Sequence, residues 1–215
     1  ESPDYYRRFI ERVDVACIKT APMDAHGYFN FGASVTYLKA MSERAKLLIV
    51  ETCPSVPIVN GVQECVHASE VDFVLEGEDT ALPEVGTAPA SEVDRKVGAL
   101  IVAEISDGAC LQIGIGGMPN AVCAVLKDAG TRDLGIHTEM LVEGILDLYE
   151  AGLVTGAHKQ IDRGEIVFTF AGGSKRLYDF IHQNPVAHSH PVDYTNDPAV
   201  IARNQRVISI NNTTQ

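Results

Sequence analysis

The sequence predicts an α/β protein of two open-sheet units, largely parallel, with the chain covering the end of the first unit and most of the second. Three observations carry that expectation. Apolar, β-prone runs alternate with stretches of helical spacing through most of the 215 residues. Between Gly77 and Pro89 the chain becomes rich in Gly, Pro and Ala and loses its periodicity, which marks a linker. Two strand-like runs end on a glycine loop and on a carboxylate, at the junctions where open α/β sheets bind ligands. The expected units are residues 1–85 and 86–215, the second incomplete at its C-terminal end.

Residues 13–20 read as a strand, ended by the turn-forming Pro22, Asp24 and Gly27. Residues 28–31 read as a short return strand, 34–44 as a helix and 47–50 as a buried strand. Past the linker, Ser91 caps a helix that runs to residue 105 and stops at Asp107 and Gly108. There follow a strand at 109–113, a helix at 119–127, a strand at 134–137 and a helix at 139–151, closed by Gly152. A strand at 166–170, helices at 175–183 and 198–204 and a strand at 207–210 complete the reading. The opening on Glu1-Ser2-Pro3 and the lack of a stop signal after the last strand lead us to expect a segment of a larger protein.

Seventeen basic residues against 29 acidic ones argue against a nucleic-acid partner, because phosphate contact needs clustered Lys and Arg. No apolar run approaches the roughly 20 residues of a membrane span, and no basic-then-apolar leader opens the chain. The five cysteines lack CxxC spacing and read as reduced thiols of a cytoplasmic protein. His188 and His190 are spaced for chelation, but no third ligand stands near them in sequence, so no metal is expected.

The run Leu111-Gln112-Ile113-Gly114-Ile115-Gly116-Gly117-Met118-Pro119-Asn120 takes a β-prone segment through three glycines into a helix, with Pro119 suited to the first turn. Glycines let a ligand approach the backbone, and free N–H groups at a helix start favour negative charge. A phosphate, a carboxylate or an acyl-transfer oxyanion would fit there; a plain packing turn is the other reading. Dinucleotide binding is disfavoured, because Pro119 stands where that fingerprint needs its third glycine. In Leu134-Gly135-Ile136-His137-Thr138-Glu139-Met140 a carboxylate follows a strand. Thr138 reads as a helix cap and Glu139 as a first-turn residue whose charge the dipole favours. Such a residue is either a surface charge or a nucleophile, and His137 either a satisfied core histidine or a base.

At these motifs the chain resembles the acetyl-CoA hydrolase/transferase family, of the 4-hydroxybutyrate and butyryl-CoA:acetate CoA-transferase type. The matching blocks are GIGGMPNAV at 114–122, LGIHTEM at 134–140, DLYEAGLV at 147–154, KRLYDF at 175–180 and PVDYTNDP at 191–198, with PMDAHGYFNFG at 22–32 also similar. The resemblance implies Rossmann-like CoA-transferase domains in two similar halves. It implies Glu139 as nucleophile and the backbone around Gly114, Gly116, Gly117 and Met118 as oxyanion or CoA contacts. His137, Asn120, Lys175 and Arg176 are candidate substrate or CoA contacts, the last two through CoA phosphates, and Asp24 and His26 candidate lining residues. Implied too are an acyl-CoA and a small carboxylate as substrates, no permanently bound cofactor, a homodimer, and an acyl-CoA hydrolase as the nearest rival activity; a non-catalytic CoA- or nucleotide-binding module, which the glycine loop would also suit, is the rival of a different class. Family members are longer at both ends, with a glycine-rich CoA-contacting segment beyond residue 215.

Overall fold

A computed structural model describes residues 2–86 and 89–212. Before the expected linker the chain runs α1 (Ser2–Arg8), β1 (Ala16–Thr20), β2 (Tyr28–Asn30), α2 (Leu38–Arg44), β3 (Leu48–Thr52), β4 (Asn60–Gly61), β5 (Cys65–His67) and β6 (Phe73–Glu76). β1, β3 and β6 form a parallel sheet in that order. Alternation in β1 buries Ala16, Ile18 and Thr20 and exposes Cys17 and Lys19, as a period of two requires for a sheet covered on one face. The expected return strand exists, but β2 pairs antiparallel with β5 rather than with β1. β5 is three residues long, too short for its alternation to show in sequence.

From residue 77 to residue 90 no helix or strand forms among the described residues, where the linker is expected. Beyond it lie α3 (Glu92–Val102), β7 (Cys110–Ile113), α4 (Gly117–Ala129), β8 (Gly135–His137), β9 (Met140–Leu141) and α5 (Glu143–Glu150). Then come β10 (Ile166–Phe168), β11 (Phe170–Ala171), α6 (Lys175–Ile181), β12 (Ala187–Ser189), α7 (Val192–Thr195), α8 (Pro198–Ile201) and β13 (Val207–Ile210). Ser91 caps α3 as expected: its hydroxyl accepts the Asp94 N–H at 3.1 Å, and Asp94 accepts the Ser91 N–H at 2.8 Å.

Six parallel strands make the second sheet, in the order β13-β7-β8-β10-β12-β4. Leu111, Ile113, Ile136, Ile166 and Phe168 line its buried strands, and Leu126, Ile145, Leu146 and Leu177 pack on them from the helices. Strands buried on both faces read as continuous apolar runs, which makes them legible in sequence. One edge is not. β4 comes from before the linker, and Gly61 lies so close to β12 that a Cβ there would overlap the Ser189 carbonyl.

The order also places a switch point. From β7 the chain steps outward through β8, β10 and β12, then returns as β13 on the other side of β7. Ligand crevices of open α/β sheets form at the carboxyl ends of strands beside such a reversal. The glycine loop leaves β7 at that place.

Candidate active site

Gly114 continues β7, and its N–H donates to the Ile210 carbonyl at 2.8 Å. Its expected part as an oxyanion donor is therefore corrected, since that hydrogen is committed to β13. Gly116 caps α4 with φ 117° and ψ −179°, a conformation that side-chain-bearing residues rarely adopt. A Cβ there would also collide with the Asn212 side-chain amide, which donates to the Ile115 carbonyl at 3.2 Å. The first intrahelical bond runs from the Asn120 N–H to the Gly116 carbonyl. Helix geometry thus leaves the Gly116, Gly117 and Met118 N–H groups without intrahelical acceptors, and Pro119 contributes none. Asn120 sits within α4 and faces a groove shared with Cys123, Lys127, Glu143 and Asp147.

Next to this loop, Thr138 and Glu139 follow the end of β8. The expected helix from residue 139 is corrected: α5 begins at Glu143, and residues 140–141 form β9. Thr138 caps no helix. Its hydroxyl is buried, accepts the Ile113 N–H at 3.2 Å and lies 3.2 Å from the Ile113 carbonyl, joining β8 to β7. A helix dipole acts within about one turn, so that of α5 does not reach Glu139 as expected. Instead the Glu139 backbone is pinned where both strands break, its carbonyl accepting the Thr169 and Phe170 N–H groups at 2.9 and 3.2 Å. The side chain is exposed and accepts the Asn196 amide at 2.9 Å. Since Gly114 follows Ile113 and Glu139 follows Thr138, the loop and the carboxylate leave adjacent parallel strands at the same edge.

The remaining candidates divide. His137 is 3% exposed, its Nε2 is 2.9 Å from the Thr195 carbonyl, and burial lowers its pKa. As a contact with substrate it is corrected; it holds the segment that carries Asn196. Lys175 pairs with Asp179 at 2.7 Å. Arg176 bonds Glu143 at 3.0 Å, Asp147 at 2.9 Å and also Glu150, fastening α6 to α5. Three carboxylates around one guanidinium offset its charge, so the Arg176 expectation is corrected, whereas Lys175 is exposed and lines a cavity of about 310 Å³. Arg176→Met should lower unfolding stability by about 1 kcal/mol while leaving acyl-CoA affinity within about twofold. Urea titration and substrate binding would check both halves.

Asp24 accepts the His26 and Tyr28 N–H groups at 2.8 Å, which turn formation explains, and it lines a cavity of about 450 Å³ with Pro22, Asn30 and Cys65. Neither that cavity nor one of about 310 Å³ near Pro57 and Tyr178 is lined by Glu139 or the glycine loop. Sequence reasoning missed Asn196 and Asn212. Each lies more than 50 residues from its partner, and only Asn196 falls inside a recognised block.

Two models of one family match in order: the acetyl-CoA hydrolase/transferase N-terminal domain over residues 4–85 and its C-terminal domain over 173–215. The chain belongs to the acetyl-CoA hydrolase/transferase family. Among curated family members, the butyryl-CoA:acetate CoA-transferase of Anaerostipes caccae is 49% identical over 99% of this chain and 48% of its own length. The crystal structure of RipA from Yersinia pestis superposes with a TM-score of 0.93 at 41% identity, over 99% of this chain and 49% of that one. A 4-hydroxybutyrate CoA-transferase of Porphyromonas gingivalis superposes with a TM-score of 0.90 at 36% identity, over 97% of this chain and 52% of that one. The chain thus spans about half the length of the family members it matches. No helix among the described residues is long and apolar enough to cross a membrane.

Proposed function

We propose that the protein moves coenzyme A between a short-chain acyl-CoA and a free carboxylate of the acetate, butyrate or 4-hydroxybutyrate class, with Glu139 as nucleophile. One observation carries this reading: an exposed carboxylate and a glycine-opened helix start leave neighbouring parallel strands side by side. The 49% identity to a CoA-transferase supports transfer over hydrolysis, which differs only in water resolving the last intermediate.

In the proposed cycle Glu139 attacks the thioester carbonyl and CoA thiolate leaves, giving a mixed anhydride. The thiolate then attacks the glutamyl carbonyl, forming glutamyl-CoA and releasing the first carboxylate. An acceptor acid reverses both steps. Each addition builds an oxyanion, and the Gly116, Gly117 and Met118 N–H groups are our proposed donors, one such bond being worth ~3–4 kcal/mol. Asn196 would orient the nucleophile. No bound cofactor is required, CoA being substrate. We retain the homodimer and the cytoplasmic setting as parts of the proposal; the five free thiols support a reducing compartment.

The test is to incubate the full-length protein with acyl-CoA, reduce with borohydride or quench with hydroxylamine, and map the modified peptide by mass spectrometry. Modification at Glu139 is expected. An unmodified Glu139 in a protein that turns over would overturn the assignment.

A further inference from the structure

We propose that Glu165, His188 and His190 form a binding site for a divalent transition-metal ion of the zinc class, on the face of the sheet that α7 covers. Glu165 immediately precedes β10, His188 lies in β12 and His190 just follows it, and β10 and β12 are paired with Val167 opposite His188. One carboxylate oxygen and one ring nitrogen from each histidine lie within 4.8 Å of one another. Two imidazoles and a carboxylate are a donor set suited to zinc, with a fourth position for water.

Three details point to a cation. First, His188 Nε2 stands 3.1 Å from the Pro185 carbonyl, an acceptor, so that nitrogen carries the hydrogen. Its Nδ1 is then the atom turned toward Glu165 Oε2, and fixing one imidazole nitrogen on a backbone carbonyl is how proteins orient metal-ligating histidines. Second, those two atoms are 3.4 Å apart. That is long for a charge-assisted hydrogen bond but matches the roughly 3.4 Å edge of a tetrahedron with bonds of about 2.1 Å. Third, His190 is 6% exposed, and its Nε2 is buried with no hydrogen-bond partner among the described residues. Leaving such an atom unpaired costs about 1–3 kcal/mol.

The frame is already set. The His190 N–H donates to the Phe168 carbonyl at 2.7 Å, and its ring stacks on Tyr194 at 4.7 Å. The Tyr194 hydroxyl donates to the Asp162 carboxylate at 2.9 Å. From His190 the chain continues through α7 to Asn196, so an ion here would brace the residue that holds Glu139.

The experiment uses full-length protein stripped with a chelator and titrated with Co²⁺, followed by visible absorption, with metal content by mass spectrometry and Zn²⁺ as competitor. Expected are one equivalent per chain, tetrahedral d–d bands without thiolate charge transfer, and displacement by Zn²⁺. Glu165→Gln and His188→Gln, each checked for native circular dichroism, should weaken binding by at least about tenfold. Negligible binding by the parent protein, thiolate bands pointing to Cys17 or Cys65, or undiminished affinity in both folded variants would each overturn the site. If one variant misfolds, the other decides. Modification at Glu139 plays no part in the readout, so failure of this site leaves the transfer mechanism standing, and the reverse.

Discussion

Glu139→Gln should lose at least about three orders of magnitude in transfer rate, ~4 kcal/mol of barrier, while binding acyl-CoA within about threefold of the parent. The substitution keeps shape and reach, and a glutamine oxygen can still accept the Asn196 amide. The β8–β9 backbone is held by main-chain bonds from Thr169 and Phe170, independent of the side chain. What disappears is the carboxylate oxygen that, in the proposed cycle, attacks the acyl carbonyl to form the anhydride and then departs when the thioester forms at the glutamyl carbon. A protein that binds but does not turn over is therefore the expected result. Intact mass must show that the introduced glutamine has not deamidated back to glutamate. Persistent exchange above about 1% in verified variant would remove Glu139 from the mechanism.

Gly116→Val should lower kcat by about a hundred- to a thousand-fold, with a much smaller change in acyl-CoA affinity. The backbone at φ 117° disfavours any side chain, and a Cβ meets the Asn212 amide. Relief requires the loop to turn, and turning would re-aim the Gly116 and Gly117 N–H groups, our proposed oxyanion donors. Strain of this kind costs about 1–3 kcal/mol, small enough for a packed domain to survive, which a thermal melt would verify. Single-turnover kinetics separate chemistry from binding. If affinity alone falls and the chemical step is untouched, the loop is a phosphate cradle rather than an oxyanion site.

Much of the fold is legible in the sequence because its signals are local. Ser91 and Asp94 form their reciprocal cap three residues apart, and the apolar run at Ile166–Phe168 is a strand buried on both faces. Thr138 misleads for an instructive reason. A threonine before an acidic residue at a strand end has the composition of a helix cap, but a partner 25 residues away in β7 captures the hydroxyl. Arg176 misleads similarly. A basic pair at a helix start suggests phosphate, and only packing of α6 on α5 reveals the carboxylates that occupy Arg176.

By itself the sequence determined the α/β class, the glycine turn at Gly116 and the placing of Glu139 just past a strand, since each depends on neighbours within a few residues. Tertiary structure alone decided the company these groups keep: Asn196 at 57 residues' separation beside Glu139, Asn212 against Gly116, and Glu165 beside His188 and His190. Side-chain chemistry and periodicity are written residue by residue. Which strand edges lie together depends on the order β13-β7-β8-β10-β12-β4, a property of the whole sheet that no short window contains.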